Sequence, residues 1–149
     1  MVGIDIVDVG RLRAALLRSP RLAARLFTRR ELDYARSRRD PDMHLAGTLA
    51  AKEATIKAMQ LGSLPSWATS LEVTRSADGS PVMTVERAGE QRTVAISISH
   101  DAGIATAVAA VRQGEDGVPG ASPRSASNDR IPALVCTPPQ LADRLAEAE

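Results

Sequence analysis

The chain holds 17 arginines but only two lysines, Lys52 and Lys57, and both fall in AAKEATIKAM at 50–59, on either side of Glu53. An ammonium is a compact point charge suited to a phosphate, whereas a guanidinium is a planar fork. The surrounding stretch is alanine-rich and free of Gly and Pro from Thr48 to Leu61, which predicts a helix. On that helix Leu45, Leu49, Glu53, Ile56 and Gln60 recur at spacings of three and four. Glu53 then stands where the apolar stripe predicts a hydrophobe. A carboxylate in that position must be paired, protonated or bound to a metal, because an unpaired buried charge is very costly. The plain alternative is a surface helix with one i,i+4 pair, Glu53 to Lys57.

A second carboxylate is out of place in the same way. Asp5 interrupts the β-branched run VGIDIV at 2–7, so it either faces water at a sheet edge or serves as a ligand. Asp8 fits the cap of a helix that begins near Val9. Near the other end of the domain, Thr93–Ser99 alternates as a strand, with Val94, Ile96 and Ile98 on one face. His100 and Asp101 close it at its C-terminal tip. Taken alone, His100 reads as a strand-end residue hydrogen-bonded for structure.

The intervening elements must position these groups. Arg11–Leu17 reads as helix, Pro20 breaks it, and Arg21–Leu26 forms a further helical turn. If 18–25 is locally helical, Arg18, Arg21 and Arg25 line one face with Leu22 beside them. Thr28 and Glu31 have the form of a capping box, opening a helix to about Arg36. The central helix is expected from about Asp42 to Met59, and the Gly/Pro/Ser-rich stretch 61–70 as a loop. Leu71–Arg75 and Val82–Glu86 read as strands joined by an Asp-Gly hairpin, and Gly103–Val111 as the last strand. After Arg112 the composition becomes that of a disordered linker, with a C-terminal segment too short to be a stable helix alone.

Composition limits the function. One domain fits 149 residues, and three aromatics leave a core of Leu, Val, Ile and Ala. So few aromatics argue against base-stacking nucleic-acid modules. One cysteine, Cys136, excludes an internal disulfide and fits a reducing compartment. No run is apolar enough to span a membrane and the N-terminus lacks a signal-peptide pattern, so a cytoplasmic protein is expected. Net charge is only +1, yet ten arginines stand against Glu31 and Asp33 between Arg11 and Arg39. Such a basic third implies an anionic partner.

Five segments occur in order: GIDIVDVGR at 3–11, FTRREL at 27–32, LAGTLAAKEATIKA at 45–58, DGSPV at 78–82 and ISISHD at 96–101. Together they resemble the holo-acyl-carrier-protein synthases, the short class of 4′-phosphopantetheinyl transferases, over about residues 1–112. The resemblance implies a compact α+β fold, an antiparallel sheet packed against a long central helix. It implies a homotrimer with sites at subunit interfaces. The implied reaction moves phosphopantetheine from coenzyme A to a serine of an apo acyl carrier protein, releasing 3′,5′-ADP. Such chemistry must neutralise the pyrophosphate and hold the serine in line. Mg²⁺ on one or two carboxylates, phosphate oxygens and waters is the usual solution.

Carried over by position, the resemblance makes Asp5 and Glu53 the metal ligands. It gives Lys57 and His100, with Glu53, the catalytic roles, and assigns Lys52, Lys57, Gly79, Pro81 and His100 to coenzyme A. Arg11, Arg18, Arg21 and Arg25, with Leu22 for apolar contact, fall at the carrier-docking positions. Fatty-acid, polyketide and peptide-synthetase carriers all present acidic surfaces, so each fits. A metal-bound water, Glu53 or a carrier carboxylate could take the serine proton. The chain departs from the family at Thr48, commonly arginine, at Ile56, commonly a small hydroxyl residue, and at 61–70, where only Gly62 remains of a Gly-x-Gly loop. These departures motivate a second reading, a homologue that binds carrier or coenzyme A without chemistry.

Overall fold

The computed structural model describes residues 1–112; the expected linker and tail at 113–149 lie outside the described residues. Strand β1 (Val2–Asp8) leads into helices α1 (Val9–Arg18), α2 (Pro20–Leu26), α3 (Arg29–Arg36) and α4 (Pro41–Met59). A short helix α5 (Leu64–Trp67) precedes strands β2 (Leu71–Arg75), β3 (Pro81–Arg87), β4 (Glu90–Asp101) and β5 (Ile104–Ala110). The strands form one antiparallel sheet in the order β1-β5-β4-β3-β2, so the fold is α+β as expected. The first and last strands among the described residues are therefore neighbours.

Local signals explain most boundaries. Asp8 accepts the Arg11 N–H at 2.8 Å and so caps α1. Both hydrogen bonds of the capping box at Thr28 and Glu31 are present. Asp40 caps α4, Pro41 occupies its first turn, and Gln60 ends it in the left-handed conformation. In the β2–β3 hairpin, Gly79 adopts φ +86, which its lack of a side chain permits.

Three expectations change. The stretch 61–70 contains α5, whose Trp67 reaches the core. Arg18 ends α1 while Arg21 and Arg25 lie on α2, because Ser19 breaks the helix; the arginines share no continuous helical face. Finally, α4 is not one-sided. Eleven of its residues are buried, including Thr48, Lys52 and Ile56, since the sheet covers one flank and α1, α3 and α5 cover others.

That burial is possible because the contact surfaces are small. Ala50, Ala51, Ala54 and Ala58 of α4 share a core with Ala107 and Ala109 of β5. Gly3 brings β1 closest of all. A Cβ there would stand 2.0 Å from the Ala54 carbonyl oxygen and 2.7 Å from the Ala58 nitrogen. Close packing thus sets Asp5, two residues on, against the side of α4 that bears Glu53 and Lys57. The other face of the sheet carries exposed Val2, Ile4, Ile6, Ile104 and Val108.

Candidate active site

Asp5 and Glu53 are near enough that the Asp5 carboxylate raises the Glu53 pKa, although burial of Glu53 is the larger cause and Lys57 opposes both. Lys57 does not pair with Glu53 across one helical turn. Its ammonium donates to Asp5 Oδ1 at 2.7 Å and to the Ile4 carbonyl at 3.0 Å. Two of its three protons are thereby used, and the half-exposed side chain leaves the third facing outward. Glu53 takes no hydrogen bond or ion pair from any described residue. An ionised, partly buried carboxylate beside a second carboxylate is a poor arrangement for the protein alone and a good one for a hard cation, which binds oxygen ligands. Among the described residues no group of three or more His, Cys, Asp or Glu could hold a metal, so such a cation would take its remaining ligands from substrate and water.

Lys52 is placed quite differently from the expectation that it meets coenzyme A. Its side chain is 0% exposed. The ammonium binds Glu31 Oε2 at 2.6 Å, the Leu26 carbonyl at 2.9 Å and the Ala68 carbonyl at 2.6 Å. These acceptors use all three of its protons, leaving none for a phosphate. A ten-residue stretch with two lysines thus splits into one buried and one exposed. Helical geometry is the reason: residues 52 and 57 point about 140° apart around the axis.

The departures at Thr48 and Ile56 also acquire a physical reading. Both side chains are buried, and Ile56 packs in the cluster that includes Trp67 and Leu71. A hydrophobe at 56 completes the core there.

His100 is exposed at the end of β4, as expected. The chain's other histidine, His44 on α4, meets it with ring centroids 6.1 Å apart, and Tyr34 of α3 meets His44 at 5.7 Å. The Arg38 and Arg75 guanidinium carbons lie 4.4 and 4.9 Å from the Tyr34 ring centre. Gly79, with Arg30, Tyr34, Arg38 and Arg75, lines an open cleft of about 600 Å³ between α3 and β2. Pro81 pairs with Arg75 across the hairpin. Gly79, Pro81 and His100 therefore belong to one basic, aromatic-bearing neighbourhood. Composition indicated the excess of positive charge, but only the fold gathers Tyr34, His44, Arg38 and Arg75.

This neighbourhood is not continuous with the carboxylates. Glu53 lies nine positions beyond His44 on α4, about 13 Å along the helix axis. One chain thus presents two partial sites.

Burial lowers the His44 pKa most, and His100, Arg38 and Arg75 lower it further against the opposing charge of Asp40. A histidine that binds its proton more weakly in the folded state loses stability as pH falls through the unfolded value, about 6.5. Stability measured by urea unfolding is therefore expected to drop between pH 7.5 and 5.5, and His44→Gln to reduce that drop. An unchanged drop in the variant would count against this origin.

The docking residues surround α1 and α2. Arg11, Arg18, Arg21 and Arg25 are exposed and Leu22 is half-buried. Arg11 and Arg18 border a groove of about 490 Å³ floored by Ile6, Leu12 and Leu49. Leu17, next to Arg18 on α1, is 76% exposed. On the same helix Leu12 is buried and Leu16 packs partly buried against the core.

Comparison with known proteins agrees with this architecture. The family model described as the 4′-phosphopantetheinyl transferase superfamily matches residues 1–111. A holo-[acyl-carrier-protein] synthase of Moorella thermoacetica is 38% identical over 117 residues, spanning 73% of this chain and 91% of that protein. The protein of that description from Streptomyces coelicolor is 43% identical over 114 residues, spanning 72% and 92%. Among solved structures, the Helicobacter pylori holo-[acyl-carrier-protein] synthase in complex with coenzyme A superposes with a TM-score of 0.64 at 28% identity, covering 75% of this chain and 100% of that one. With its antiparallel sheet, its central helix and its family match across nearly all the described residues, the chain belongs to the 4′-phosphopantetheinyl transferase superfamily.

Proposed function

We infer that the chain is a holo-acyl-carrier-protein synthase, moving 4′-phosphopantetheine from coenzyme A to a serine of an apo acyl carrier protein. The observation that carries this reading is the unpaired Glu53 carboxylate beside Asp5 and Lys57, on a fold shared with a relative solved with coenzyme A. In the reaction a serine oxygen bonds to the phosphorus that carries the pantetheine. The P–O bond of the pyrophosphate breaks, the serine proton leaves, and 3′,5′-ADP departs.

Each residue then has a physical task. Asp5 and Glu53 hold Mg²⁺, which supplies positive charge at the pyrophosphate when bound. Lys57 offers its remaining N–H to a phosphate oxygen while Asp5 and the Ile4 carbonyl fix its direction. His100, Gly79 and Pro81 receive the nucleotide end of coenzyme A beside the Tyr34 cleft. Arg11, Arg18, Arg21, Leu22 and Arg25 receive the acidic carrier, with Leu17 as an added apolar contact. No helix among the described residues is long and apolar enough to cross a membrane, which fits a carrier-modifying enzyme of the cytoplasm.

The separation of the two partial sites supports a homotrimer in which neighbouring copies complete one another. The exposed Val2, Ile4, Ile6, Ile104 and Val108 give the apolar face that such an assembly would cover. Light scattering should return three times the chain mass; a fully active monomer would contradict this assembly.

The deciding assay is intact-mass analysis of an apo carrier after incubation with the protein, coenzyme A and Mg²⁺. One added phosphopantetheine arm, absent with EDTA, is expected. No gain with several carriers would favour binding without catalysis. The double change Arg21→Glu/Arg25→Glu should raise the carrier KM about tenfold and leave the coenzyme A KM in place. An unchanged carrier KM would move docking away from α2.

A further inference from the structure

We propose that the buried Lys52–Glu31 pair is a positioning device that holds the arginine-bearing helix α2 in its carrier-binding pose. The inference rests on the carrier-transfer reading above. Helix α2 contains no fully buried residue, and only Leu26 at its C-terminal end packs, partly buried, against the core, so apolar packing holds little of its length. Its C-terminal end is fixed instead. The Lys52 ammonium donates to the carbonyl of Leu26, the last residue of α2, and lies 5.6 Å from the ring of the next residue, Phe27. Phe27 is 2% exposed.

Glu31 completes the anchor. Its Oε2 accepts the Thr28 N–H at 2.8 Å as well as the Lys52 ammonium, and its Oε1 accepts the Val73 N–H at 2.8 Å. The carboxylate therefore caps α3, closes the outer edge of β2 and pairs with α4. Lys52 adds the Ala68 carbonyl just beyond α5. Burial pushes Glu31 up and Lys52 down, and each charge opposes the shift of the other. Every polar contact of both groups is made within the fold.

Stability alone does not account for such a pair. Hydrophobic replacements of a buried ion pair are often neutral or stabilising, whereas removal of one partner is strongly destabilising. What a hydrophobe lacks is direction. An ammonium with three fixed acceptors sets where the Leu26 carbonyl lies, and hence where Arg21 and Arg25 stand relative to Glu53, the residue next to Lys52. A loosened anchor leaves the arginines present but misplaced.

The test is steady-state kinetics of the double variant Lys52→Met/Glu31→Gln, which removes both charges together. Carrier KM is expected to rise about tenfold, while coenzyme A KM stays within about twofold. A folded variant with carrier KM unchanged would overturn the proposal. Should the double variant fail to fold, Glu31→Gln alone, which keeps an oxygen for Lys52, is read on the same split. In the unmodified protein, the Thr28 and Val73 amides should exchange hydrogen as slowly as those in the middle of α4; free exchange would also overturn it. An unmodified protein that transfers nothing to any carrier would instead remove the functional reading on which the proposal rests.

Discussion

Glu53→Gln is expected to abolish transfer and to leave the fold standing. The substitution keeps the shape of the side chain and removes its charge. A cation held by Asp5 and Glu53 would lose one of its two protein ligands, a loss of about 10³-fold in kcat/KM or more. Stability should move the other way. The raised pKa of Glu53 means that burial and Asp5 penalise its ionised form in the folded state. That contribution is favourable at low pH and lost as pH rises through the folded pKa, so at neutral pH the neutral glutamine relieves a cost. Thermal unfolding at pH 7.5 should therefore show a Tm equal to the parent or higher, alongside lost activity in the carrier-mass assay. Undiminished transfer would remove Glu53 from the ligand role.

Gly3→Ala is expected to have the largest effect on the fold. The added methyl would meet the Ala54 carbonyl oxygen at 2.0 Å and the Ala58 nitrogen at 2.7 Å, both backbone atoms that cannot rotate away. Either β1 lifts from α4 or α4 bends. Overpacking of this kind costs about 3 kcal/mol, which for a domain of this size corresponds to a Tm lower by about 12–20 °C. Activity should fall further than stability alone requires, because β1 carries Asp5 and the Ile4 carbonyl that directs Lys57. Circular-dichroism melting with the carrier-mass assay at 20 °C checks both parts. A Tm within about 3 °C of the parent would show that the strand yields more easily than the packing indicates.

Much of this protein was legible from its residues in order. Capping chemistry placed the starts of α1 and α3, because Asp8, Thr28 and Glu31 act through hydrogen bonds only three residues long. Alternation placed β2, β3 and β4, and the Asp-Gly pair placed the hairpin. Asp5 and Glu53 stood out as acids in apolar surroundings, and the fold brings them near one another across β1 and α4. The five ordered segments indicated a transferase family that the comparisons bear out.

Other features were decided by partners distant in sequence. Lys52 and Lys57 are chemically alike and five residues apart, yet one is enclosed by Glu31, Leu26 and Ala68 while the other reaches Asp5 and Ile4. Nothing local distinguishes them, because the distinction lies in what the rest of the chain puts around each face of α4. Likewise, His44 and His100 become neighbours only when β4 lies on α4, and Leu17 is exposed while Leu12 on the same helix is buried. The sequence by itself determined the strands, all the helices but α5 and the acids that do not belong in them, since these follow from short-range hydrogen bonding and from the periodicity of burial. Which charge is sealed inside and which faces the substrate was left to the tertiary structure, since desolvation and pairing depend on atoms brought together from across the chain.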